Sequence, residues 1–171
     1  MWKQSNRKGA EAERYFRKWL DQHHIPYFYI SQDLLTPISR GLKEVFNAKR
    51  PDFIVLIEKL GLIFVDVKFR DWSDSGSFTI NAANVNKYAS LQKNFNFKVW
   101  LALSNEKVNF RKWYWVNITD IVRNYRPGKV FRNFAGRTKV YLAYSIPVEH
   151  HAHINFEDDI NDLLRKVIFK K

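Results

Sequence analysis

The chain has 171 residues, 46% of them hydrophobic and 16% aromatic, with a formal net charge of +12. That length supports a core of useful size, and the composition excludes a disordered chain. No apolar run approaches the roughly 20 residues that span a bilayer, and the absence of cysteine excludes disulfides and thiolate metal sites. Met1 to Lys8 carries charges with no apolar stretch behind them, unlike a secretory signal, so the expected location is cytoplasmic, with no membrane partner.

In chain order, residues from Ser5 to His23 read as a helix. Ala12, Tyr15, Phe16, Trp19 and Leu20 recur at three- and four-residue spacing and form one apolar stripe. Glu11 and Glu13 flank the stripe on opposite sides, and helix geometry does not choose between them. His23 and His24 suit the helix C-terminus. Pro26 stops the helix, and Tyr27 to Ile30 reads as a short strand. A long connection over 31–50 follows, with a helical turn expected at Leu42 to Phe46.

Phe53-Ile54-Val55-Leu56-Ile57 and Leu62-Ile63-Phe64-Val65 read as two buried strands joined by the turn Glu58-Lys59-Leu60-Gly61. Asp52 opens the first and Asp66 lies late in the second. Alternation puts Asp66 and Lys68 on one face and Val65, Val67 and Phe69 on the other. The polar loop after Phe69 holds Asp71 and Asp74, read as solvated acids rather than ligands. Phe78 to Ile80 is a strand, Ala82 to Phe95 a helix, Lys98 to Leu103 a strand, and the order implies a mixed sheet flanked by helices. Arg111 to Val116 is strand-like, Ile118 to Tyr125 a short helix, Arg126-Pro127-Gly128-Lys129 a turn, Lys139 to Tyr144 a strand, and Phe156 to Phe169 a terminal helix.

Two carboxylates and a lysine at one end of an oily hairpin are costly unless paired or metal-bound. Clustered carboxylates suit a hard cation such as Mg²⁺, and the Val67 carbonyl adds a donor. A metal there suits phosphodiester hydrolysis, with Lys68 holding the attacking water or offsetting charge on phosphorus. The plain alternative is an Asp–Lys pair that satisfies itself. Between Lys107 and Lys139 nine Lys/Arg face a single acid, Asp120. Such a stretch suits a polyanion, above all nucleic acid. Arg111, Lys112, Arg123 and Arg126, then Lys129, Arg132 and Arg137, are the expected phosphate contacts there, joined by Lys8, Arg70 and Lys87 nearer the hairpin. Trp113, Tyr114, Trp115 and Phe131 interleave with them; they are read mainly as core, with base stacking as the alternative. His150, His151 and His153 are read as a solvated loop rather than a metal site.

Pro51-Asp52 with Asp66-Val67-Lys68 resembles the PD-(D/E)XK nuclease superfamily, the restriction-endonuclease-like fold. Lys8-Gly9-Ala10-Glu11-Ala12-Glu13-Arg14 is similar to the K-G-x-x-x-E-R helix start of archaeal Holliday-junction resolvases, and the resemblance covers roughly residues 5 to 104. It picks Glu13 over Glu11 and matches Asn84, by substitution, to the polar residue that begins the helix after the lysine strand. It implies an α/β αβββαβ core, with Glu13, Asp52, Asp66 and the Val67 carbonyl holding Mg²⁺, or Mn²⁺ in its place, and Lys68 assisting the water. The expectation is one domain over 1–171: a core at about 5–104 and a basic C-terminal strand and helix elaboration at about 105–171. The expected function is a metal-dependent DNA endonuclease acting as a homodimer, possible substrates being branched or single-stranded DNA, with no small-molecule cofactor. The alternatives are a nuclease-like binding module that needs a partner to cut, and an RNA-cleaving nuclease.

Overall fold

The apolar runs that the sequence marks as a hairpin pair antiparallel, β2 (Phe53–Ile57) against β3 (Gly61–Phe69). The turn closes with Lys59 and Gly61 at positive φ, the backbone region that favours glycine. The computed structural model describes residues 2–30, 40, 41, 44, 47, 49–72, 76–134 and 137–169, by backbone alone at 2–6, 132–134 and 137. The helical turn expected at 42–46, apart from residue 44, most of the 31–50 connection and Asp74 lie outside the described residues.

α1 (Trp2–Gln22) precedes β1 (Tyr27–Tyr29), which pairs antiparallel with β2. β4 (Ser77–Asn81) and α2 (Ala82–Phe95) then carry the chain over to β5 (Val99–Ser104), parallel to β3. β6 (Lys112–Asn117) and β9 (His153–Asn155) extend the same sheet, which is mixed, with order β1-β2-β3-β5-β6-β9. β4 belongs to a second sheet with β7 (Gly128–Phe134) and β8 (Arg137–Pro147), ordered β4-β8-β7.

Strand alternation divides the core in two. Phe53, Val55, Val65, Val67, Trp113 and Trp115 face α1, whose Ala12, Phe16, Trp19 and Leu20 are fully buried as the stripe predicts. Leu101, Leu103 and Val116 face the other way, onto α2, α3 (Ile118–Asn124) and the second sheet. α2 is capped by Asn81, whose side chain accepts from the Ala83 N–H at 2.8 Å.

Two stretches depart from the sequence reading. Arg126 to Lys129 is not a bare turn, because Gly128 and Lys129 already belong to β7, paired with Ala143 and Leu142. The helix expected over Phe156 to Phe169 shrinks to α4 (Ile160–Leu163) and a π-type turn at Leu164–Ile168. The Phe156 N–H donates to the Arg111 carbonyl at 2.8 Å, and the Asn155 N–H donates to Asp158 at 2.8 Å. Sheet and turn bonds thus take the backbone that a helix would have used. Asp159 starts α4 instead, in a capping box with Asp162.

Candidate active site

Asp52 sits one residue before the register pair Phe53↔Val65, so its neighbour across the hairpin is Asp66. Both are buried. Val67 straps them together: its N–H donates to Asp52 Oδ2 at 2.7 Å. Lys68, two residues along the same face as Asp66, brings its ammonium into contact with Asp66 Oδ2, 3.2 Å from the Val67 carbonyl and 3.7 Å from Asp52 Oδ2. The lysine thus lies among the three oxygen groups named in the sequence as metal donors.

Two further side chains close over Asp66. The Tyr88 hydroxyl of α2 donates a short hydrogen bond to Asp66 Oδ1, and Lys49 Nζ lies 3.6 Å from the same oxygen. Sequence reasoning missed both. For Tyr88 the available signal is a tyrosine one turn after Asn84 in the predicted helix, since a buried hydroxyl seeks a partner. Lys49 lies in an irregular segment, where no periodicity points to it.

The charges respond to this crowding. Burial, then the neighbouring Asp66 carboxylate, pushes Asp52 up to about 7. Burial also opposes ionisation of Asp66, but Lys68, Lys49 and the hydrogen bonds outweigh it and hold its carboxyl below the usual range. Burial drives the Lys49 ammonium down despite Asp66. For Lys68 the two aspartates overcome burial and push it up. Tyr88 is raised well above its ordinary value by burial and then by Asp66.

Glu13 does not join this cluster. It projects from α1, which packs on the opposite face of the sheet, and its Oε2 accepts from the Tyr29 hydroxyl at 2.9 Å. Burial and this bond push Tyr29 up to about 12. Glu13 still raises the pKa of Asp52 through space, but among the described residues no three His, Cys, Asp or Glu side chains group closely enough to hold a metal. Glu11 pairs with Arg14 at 3.7 Å instead. Ala10, Glu13, Arg14, Arg17 and Tyr29 line a cleft of about 110 Å³. A tighter recess, with about 10 Å³ of free space, is lined by Asp66, Lys68, Arg70, Asn84 and Tyr88.

The expected phosphate contacts divide by environment. Lys8 is tied to Glu106 at 2.7 Å and lies over the Phe69 ring, and Arg111 pairs with Glu157 and lies over Phe156. Arg70, which lines the recess, donates to the Phe69 carbonyl at 2.7 Å. Lys87 and Lys112 are half-buried, whereas Arg123, Arg126 and Lys129 are exposed. Arg132 and Arg137 lie on β7 and β8. Asp71 is exposed. Trp113 and Trp115 are core, and Phe131 is 68% exposed. His153 lies in β9, and His23 Nε2 donates to the Phe156 carbonyl at 2.8 Å.

A helix, an antiparallel β1-β2-β3 meander and a helical crossover to a parallel strand make up the restriction-endonuclease-like fold. The chain is similar to the 1.6 Å structure of Hjc from Archaeoglobus fulgidus, a Holliday junction resolvase from an archaeal hyperthermophile, with a TM-score of 0.51 and 13% sequence identity over 86% of this chain and 92% of that one. The likeness is one of fold. No protein-family model matches the chain, and no curated protein matches it by sequence. Among the described residues no helix is long and apolar enough to cross a membrane.

Proposed function

We propose that the chain is a metal-dependent endonuclease that hydrolyses phosphodiester bonds in DNA. The observation that carries this reading is the buried Asp52–Asp66 pair clamped on Lys68 at the end of the hairpin. Two buried carboxylates and the Val67 carbonyl converge there, and one of the acids is held with its pKa near 7 although Lys68 and Lys49 lie alongside the pair. Clustered carboxylate and carbonyl oxygen suits a hard divalent cation.

Asp52, Asp66 and the Val67 carbonyl are the residues that would hold Mg²⁺ or Mn²⁺, with Glu13 recruited from its bond to Tyr29. The ion supplies charge neutralisation at the phosphate and a more acidic water. Lys68, released from the oxygens it now contacts, is placed to orient that water or to offset charge on phosphorus. Tyr88 and Lys49 keep Asp66 ionised and oriented, and Asn84 and Arg70, which line the recess, would contact the scissile strand. In this reading all 171 residues make one cytoplasmic domain, and a two-strand cut implies a C2 homodimer.

The test is cleavage of supercoiled and branched DNA with Mg²⁺, with Mn²⁺ and with EDTA. Cutting that requires the metal and disappears in Asp66→Ala supports the reading; cutting that survives Asp66→Ala overturns it. A second reading has its own support, since Glu13 is engaged by Tyr29: the chain binds DNA and cuts only with a partner. Calorimetry separates them. A competent site takes up Mg²⁺ or Mn²⁺ in the isolated protein, and a module awaiting its partner does not. RNA run in parallel reports the substrate class.

A further inference from the structure

β7 and β8 do more than complete the second sheet. β8 pairs with β4 only from Ala143 to Pro147, whereas β7 pairs with β8 from Gly128↔Ala143 out to Phe134↔Arg137. Residues 129–134 and 137–142 therefore run past the end of β4 as a two-stranded ribbon, about 20 Å long at the usual rise per residue. Such a ribbon is marginal in water without a buried face. This one leaves Phe131 68%, Val140 55% and Leu142 50% exposed. Register and alternation gather those three on one face, Phe131 directly opposite Val140 and Leu142 opposite Lys129.

The charge pattern identifies the occupant. From Arg126 to Tyr144 there are five Lys/Arg and no acid. A polyanion suits a ribbon with that many cations and no acid, whereas a second copy of the same basic ribbon repels it. The ribbon's foot bears on the recess: Ala143 pairs with Asn81, which caps α2, whose first turn presents Asn84 beside Asp66 and Lys68.

We infer that the β7–β8 ribbon is a DNA-gripping arm, laid in the major groove of the duplex that flanks the bond to be cut. A two-stranded ribbon is a size the major groove admits, and its floor offers thymine methyl groups to apolar side chains. Lys129 shares the Phe131–Val140–Leu142 face that meets base edges, and Lys139, on the other face at the rim of the groove, reaches the phosphates that wall it. The inference rests on reading the chain as acting on DNA, yet it concerns binding alone and is tested without cleavage.

The experiment measures duplex and single-stranded DNA binding by fluorescence anisotropy in EDTA, across a range of salt, with the full chain. Lys129→Ser/Lys139→Ser, at two exposed positions, should weaken duplex binding by about tenfold near physiological salt and lower the slope of log K against log salt by about two. Phe131→Ser should weaken duplex binding and leave the slope unchanged. Lysine acetylation mapped by mass spectrometry on the unaltered protein gives a readout that no folding defect confounds: duplex DNA should shield Lys129 and Lys139. The inference is overturned if Lys129 and Lys139 stay unshielded, if only single-stranded binding responds to Phe131→Ser, or if the variants instead lose self-association or binding to anionic phosphatidylglycerol vesicles. Shielding and weakened binding in a protein that never cuts would leave the arm standing and remove the nuclease.

Discussion

Asp52 carries the most informative charge in the molecule. Its folded-state pKa of about 7 lies above the carboxylate's ordinary value, so between about pH 4 and 7 the folded state binds more protons than the unfolded one. Stability then falls as pH rises through that window. Asp52→Asn removes the contribution. In EDTA, the variant should be more stable than the parent at pH 8, by on the order of 2 kcal/mol, with the difference closing toward pH 4; equal denaturant midpoints at pH 8 would contradict the assignment. The same change should abolish metal uptake, so the site would trade stability for function. Tyr88→Phe tests the other side of the pair. Losing the donor to Asp66 should cost about 1–3 kcal/mol, read as a shifted denaturation midpoint with an unchanged m-value.

At the scale of elements, α1 and the C-terminal segment depend on each other. Phe16 packs edge-on against Phe53 and Trp113, and the Trp19 indole N–H donates to the Asp158 carbonyl at 2.8 Å. Phe16→Ala should destabilise by about 3–5 kcal/mol, the usual cost of a large aromatic cavity, measurable by urea unfolding. β3 shows why the site stands where it does. Val65 and Val67 anchor one face in the core beneath α1, so Asp66 and Lys68 must turn toward α2. A one-residue slip would bury both charges among tryptophans, and the hydrophobic pattern therefore fixes the position of the acids.

For the whole molecule, the C-terminal third completes the sheet and core that carry the site. β6 and β9 extend the main sheet, and Ile154, Leu163 and Val167 are buried in the same cluster as α1. Ending the chain after Ala152 removes those three side chains and the edge strand. The truncated protein should lose cooperative thermal unfolding, followed by far-UV circular dichroism; a sharp transition in it would show that residues 1–152 fold alone. The basic charge is distributed unevenly around this frame. Arg111 is spent on Glu157, whereas the exposed ribbon carries its cations unopposed by any acid in its own sequence.

The amino-acid sequence by itself determined the strands of the hairpin, the apolar stripe of α1, the crossover through α2 and the common face of Asp66 and Lys68. Each of these follows from a local period of two or 3.6 residues, and burial enforces that period. Tertiary structure alone decided what meets across those elements. It set Tyr88 and Lys49 on Asp66 and turned Glu13 to Tyr29. It also made β7 and β9 from segments whose own residues signal a turn and a polar loop. The physical reason is that hydrogen-bond partners and charge neighbours far apart in the chain leave no period to read; they exist only once the sheet has brought its two faces and its far edge together.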